Sequence, residues 1–232
     1  LKGRYDSGQV AIVQGVGQTG DDHSHFSSTA TWMAGTATAD RSSGWLGRWL
    51  DGVPDATEGL RGVTMGSSIP LHLTGHQAVI TALDTNGGLF GADRSDPAFA
   101  AAYDAISAYA DAPSGKGPWG DALAASGATA LGLAGDLDPR FTPALGGDDL
   151  VAQLTLAARL INADLGIRVL NGSFGSFDTH ENQLIRQQAL LAELDDAIDA
   201  FYATLSADLS LIHISEPTRP LYISYAVFCL KK

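Results

Sequence analysis

A single α/β domain built on a parallel sheet is predicted by three features of this sequence. The chain has 232 residues, of which 45% are hydrophobic and 17% charged, enough apolar material to bury one sizeable core. Its first apolar run, QVAIVQGV at 9–16, is short and passes into Gly15 and Gly17, as a buried strand of a parallel sheet does. Its last third reads helix, strand, helix, the local order of a layered α/β sheet.

The opening LKGRYDSG reads as the end of a helix before that strand, and a chain starting at Leu1 rather than Met is expected to lack something upstream. After the strand, GQTGDDHSHFSS is a polar loop and ATWMAG a short helix. In SSGWLGRWLDG, Trp45, Leu46, Trp49 and Leu50 fall at helical spacing, with both tryptophans expected in the core. Residues 54–96 are rich in Gly, Pro and Thr and offer one strand, HQAVITAL. PAFAAAYDAISAYAD, 97–111, starts with Pro at a first-turn position and repeats apolar residues at three and four, which predicts a helix.

GKGPWGDALAASGATALGLAG, 115–135, reads as a permissive linker of small residues. A helix follows in DDLVAQLTLAARLINADLG, with Asp148 and Asp149 near its positive end and a stop at Gly166. IRVLNGSFG is a strand. Residues 183–208 form the longest helix, with Leu184, Leu190, Leu191, Leu194, Ile198, Phe201 and Leu205 on one side. No internal repeat is present.

Charge and composition exclude several functions. A net charge of -12, without clusters of Lys or Arg, argues against nucleic-acid binding, whose main term is phosphate neutralisation. A cation is the more natural guest. Every apolar run is interrupted well short of the roughly 20 residues of a membrane-spanning helix. The last stretch, 210–232, changes character: it is rich in Ile, Tyr and Phe and holds the only cysteine, Cys229. HISEPTRP within it resembles the translation of a sequencing adapter, so a domain at 1–209 and an artefactual tail at 210–232 are expected. Without the tail, neither disulfides nor thiol catalysis are available. GVGQTG at 15–20 has neither the Lys of a Walker motif nor dinucleotide-fingerprint spacing.

Two constellations carry chemistry. GSFDTHENQ, 175–183, lies where a strand hands over to a helix, the place where open parallel sheets bind ligands. Asp178 and His180 there supply a hard oxygen and an imidazole nitrogen, a pairing that suits zinc, manganese or iron. The plainer alternative makes Asp178 a helix cap, with Glu181 closing a capping box. DDHSHF, 21–26, sets Ser24 between His23 and His25, the raw material of an activated nucleophile or of further metal ligation. Its plainer alternative is a polar turn with solvated histidines. His72 and His76 read as hydrogen-bonded structural residues.

VAIVQGVG, HSHFSSTATWMAG, GWLGRWLD, SSIPLHLTG, RVLNGSFGSFDTHENQ and LLAELDDAIDAFYATL, in that order, resemble the sulfatase-like bacterial family of domain of unknown function 1501. GSFDTH resembles its Gly-Gly-Phe-Asp-Thr-His motif, with Ser176 where a Gly is usual, and HSHF resembles its Ser-His-Phe motif. The resemblance implies a three-layer αβα sandwich, alkaline phosphatase-like and incomplete in this chain. It implies an exported, periplasmic or secreted relative of metal-dependent phosphate and sulfate ester hydrolases, many with a twin-arginine signal, or a binding or scaffold protein on the same fold. Carried over by residue, Asp178 and His180 are ligands of zinc or manganese, and Ser24 lies near the nucleophile with His25 beside it. A strand with an Asp-bearing loop before Leu1, and Ser-Glu-Phe-Gly-Arg and Asp-His-Gly segments after the long helix, are expected by the resemblance and absent. The chain is therefore expected to keep part of a metal centre and to be inactive.

Overall fold

The computed structural model describes residues 1–8, 10, 12, 13, 17, 20, 22–36, 42–55, 60–85, 96–111, 115–141, 143–175 and 177–206. Its elements are α1 (Lys2–Asp6), α2 (His25–Ala34), α3 (Trp45–Asp51), β1 (Gly62–Met65), a 3-10 turn (Leu71–Leu73), β2 (Ile80–Leu83), α4 (Pro97–Asp111), α5 (Pro118–Leu137), a second 3-10 turn (Asp138–Phe141), α6 (Leu150–Asn162), β3 (Val169–Asn171) and α7 (Gln183–Thr204). The fold is α/β, as the sequence predicts. Its sheet is parallel, in the order β2-β1-β3, with Val63 opposite Thr81 on one side and Leu170 on the other.

Strand alternation divides the core between two faces. Val63, Met65 and Leu83 point toward α6 and the end of α5, where Leu137, Leu156, Ala157 and Leu160 complete one cluster. Val169 and Ile80 point the other way and meet Leu46 and Leu50 of α3 and Leu73 of the first turn. Helices therefore cover both faces, and α7 lies on α6 through Leu150, Leu154, Leu194 and Ala197.

The covering on the α3 face depends on backbones meeting closely. A methyl group on Gly44 would overlap Leu71 O and the His72 backbone, and one on Gly47 would overlap the Thr74 carbonyl. The motif GWLGRWLD is thus a packing device. Arg48 completes it by donating to the carbonyls of Ala34 (2.7 Å) and Ser43 (2.9 Å). At the other end of α3, Asp51 accepts from the amides of His76, Gln77 and Ala78, each at 2.8 Å.

Partial burial pushes the Asp51 carboxyl upward, but the three amides and His76 pull it further down, so it lies below the usual carboxylate range. A depressed folded value stabilises above the unfolded carboxylate value of about 4 and is lost as pH falls through the folded value. Asp51→Ala is expected to cost about 1–2 kcal/mol at pH 7. The gap in melting temperature between wild type and variant should close on acidification below about pH 4.

Several expectations change. Residues 115–135 are no linker: Pro118 starts a 20-residue helix, and the Asp121 carboxylate accepts the Gly115 and Lys116 amides ahead of its first turn, both at 3.1 Å. Alanine content favours helix here more than its small glycines oppose it. Trp45 and Trp49 are 39% and 49% exposed, whereas Leu46 and Leu50 face the sheet, because α3 is one layer thick and its outer side meets solvent. The helix read from ATWMAG begins earlier, at His25, and α6 stops at Asn162, where Asp164 and then Gly166 take positive φ. Most of QVAIVQGV and all of 210–232 lie outside the described residues. Of that first run, Ile12 and Val13 are exposed and outside any strand.

Candidate functional site at the carboxyl rim of the sheet

Because the three strands are parallel, Met65, Leu83 and Asn171 end on one rim. The loop leaving β3 is anchored at its start. Gln153 of α6 accepts from Ser173 N at 2.8 Å and donates to Ser173 O at 3.1 Å. Phe174 then packs on the α6–α7 cluster and meets the Phe177 ring edge-on at 5.3 Å. A tight turn follows, with Thr179 N donating to Phe177 O at 2.9 Å.

That turn brings Asp178 and His180 together, with Nε2 2.7 Å from Oδ1 and side chains 56% and 80% exposed. An exposed pair of this kind adds about 0–1 kcal/mol to stability. It is not a helix cap. Helix α7 starts two residues after Glu181, and its N-cap is Asn182 in a left-handed conformation (φ 50°) with no side-chain cap bond. The capping-box alternative therefore fails, and Asp178 and His180 are left free of that structural duty.

Ser24 is the residue that caps. Its Oγ accepts from Ser27 N at 3.4 Å, and its own amide donates to Asp22 at 2.9 Å. His25, exposed, is the first residue of α2, and His23 has a positive φ of 59°. Among the described residues, no hydrogen bond joins Ser24 or His25 to Asp178 or His180. Nor do any three His, Cys, Asp or Glu side chains among them gather around a point where one ion could sit.

A further group at the rim escaped the sequence reading. His72 Nε2 donates to Asn171 Oδ1, and Asn171 Nδ2 donates to Thr64 Oγ1, both at 2.9 Å. His72 is a hydrogen-bonded residue, as expected, but its partner Asn171 is a strand residue 99 positions along the chain, and Asn171 in turn bonds to Thr64, 107 positions before it. Asn171 is marked in the sequence as the polar residue closing the run IRVLN, whereas the short buried strand that holds Thr64 carries no periodic signal.

A family model described as "Protein of unknown function (DUF1501)" matches residues 11–211. The chain belongs to the DUF1501 family. Comparisons with curated proteins and with solved structures find no match. The DUF1501 match takes in every element from α2 to α7, and with them HSHF, GWLGRWLD and GSFDTH.

Proposed function

We propose that this DUF1501 chain is part of an exported, metal-dependent hydrolase of phosphate or sulfate esters, with Asp178 and His180 as two ligands of zinc or manganese. One observation carries the reading: the two side chains meet in an exposed loop beyond the carboxyl end of a parallel strand, held by neither a cap nor the core. Donor types suit such an ion, but donor number does not, since zinc sites use at least about three protein ligands. The pair by itself is expected to bind a cation weakly, because affinity follows ligand count and the groups that orient each ligand. A location outside the cytoplasm, periplasmic or secreted, belongs to the same proposal and rests on the family resemblance. Ser24 keeps its place near the nucleophile in this reading. As a cap it uses a lone pair of Oγ, which leaves its hydroxyl proton available to a base.

The incomplete donor set among the described residues favours a second reading, a non-catalytic binding or scaffold protein on the same fold. Turnover of p-nitrophenyl phosphate and p-nitrophenyl sulfate by the whole natural protein, with zinc or manganese added, separates the two. The hydrolase reading expects turnover that falls roughly 10- to 100-fold or more in Asp178→Ala and His180→Ala. A protein inert toward both esters favours the scaffold.

A further inference from the structure

Three polar side chains joined beneath one rim need a reason, because apolar groups of the same shape would fasten the turn to the sheet about as well. Thr64 and Asn171 are register partners on β1 and β3, so they project from the same face of the sheet. They are only 1% and 8% exposed, while His72 is half-buried, so His72 is the member of the chain nearest to solvent. The direction of the chain follows from the orientation of the Asn171 amide, since the Thr64 hydroxyl can donate or accept. With Asn171 Nδ2 donating to the hydroxyl, Oδ1 turns toward His72 and requires a donor from it. His72 Nε2 must then carry the hydrogen, which leaves the lone pair on Nδ1. Backbone packing keeps the ring in place: Gly44 and Gly47 seat the 71–75 segment, and Asp51 ties down the amides that follow it.

We propose that His72 is a substrate-facing proton acceptor, held in its Nε2–H tautomer by Asn171 and Thr64. Nδ1 takes the proton of a hydroxyl group or water at the rim, and the oxygen keeps the electron pair of the broken O–H bond. As that oxygen bonds to the phosphorus or sulfur of an ester, the alkoxide leaves with the pair of its own bond and recovers the proton from Nδ1. The choice of substrate rests on the hydrolase reading; the tautomer does not.

The test uses the whole protein, labelled with 15N-histidine. Long-range proton–nitrogen spectra should show His72 with hydrogen on Nε2 alone in wild type and a mixture of tautomers in Asn171→Leu. His72→Gln keeps a nitrogen that donates to Asn171 but removes the basic one. It should melt with wild type and lose about 100-fold or more in kcat/KM toward the two p-nitrophenyl esters. Wild-type His72 with hydrogen on Nδ1, or His72→Gln turning over like wild type, overturns the proposal. Wild type inert toward both esters overturns the hydrolase reading, and the tautomer spectrum then decides whether the ring is held as inferred.

Discussion

Gly47→Ala is expected to destabilise the protein by about 3 kcal/mol or more, the upper range for forcing an extra methyl into a packed site. The methyl would meet the carbonyl carbon and oxygen of Thr74 and the nitrogen of Gly75, all backbone atoms that cannot rotate aside. Relief requires lifting α3 from the turn at 71–73, which uncovers Leu46, Leu50 and Leu73 together. Intrinsic propensity runs the other way, since alanine is the better helix former. Gly132→Ala in α5 isolates that term. Nothing lies within 4 Å of its added methyl, so this variant should be stabilised by up to about 1 kcal/mol. Urea unfolding of both compares the contact with the propensity directly. Equal midpoints would mean that α3 does not press on the turn as described.

The second large effect lies on the opposite face. Leu156 of α6 is 0% exposed and sits among Val63, Met65 and Leu83 of the sheet, so Leu156→Ala should cost about 2–5 kcal/mol. Leu184, near the start of α7, is 75% exposed, and the same truncation there should stay within about 0.5 kcal/mol. Sequence periodicity treats the two leucines alike. Thermal or urea denaturation distinguishes them, and similar losses at both sites would show that the first half of α7 is packed rather than projecting.

These contrasts also show where the sequence was legible. Residues 97–111 follow a three-and-four apolar repeat behind a proline, and α4 occupies those residues, because local signals alone suffice for an amphipathic helix with a start marker. The central strand β1 was invisible. Its four residues, GVTM, are buried throughout by neighbours on both edges and both faces, and nothing in so short a stretch carries a period. Helix α5 was hidden by glycines whose cost is smaller than the alanine preference around them. At α7 the one-sided pattern extends over the whole helix, but only from Leu194 onward does α6 lie beneath it.

The candidate site divides in the same way. Asp178 and His180 were legible because two residues apart in a short loop is close enough for contact whatever the rest of the fold does. The joining of His72 to Asn171 was not, since it depends on a parallel register and on α3 seating the turn. At Ser24 the residue types alone suggest activation between two histidines, and the capping bond that its oxygen also makes at the start of α2 is visible only in the structure.

Zinc binding at the Asp178–His180 pair is the most direct test, followed in crystals of the whole protein by anomalous scattering at the zinc edge. The account predicts an anomalous peak within bonding distance of Asp178 Oδ1 and His180 Nε2, with their direct contact opened, and no such peak in His180→Ala. Zinc bound elsewhere, with Asp178 and His180 still hydrogen-bonded to each other, would contradict it.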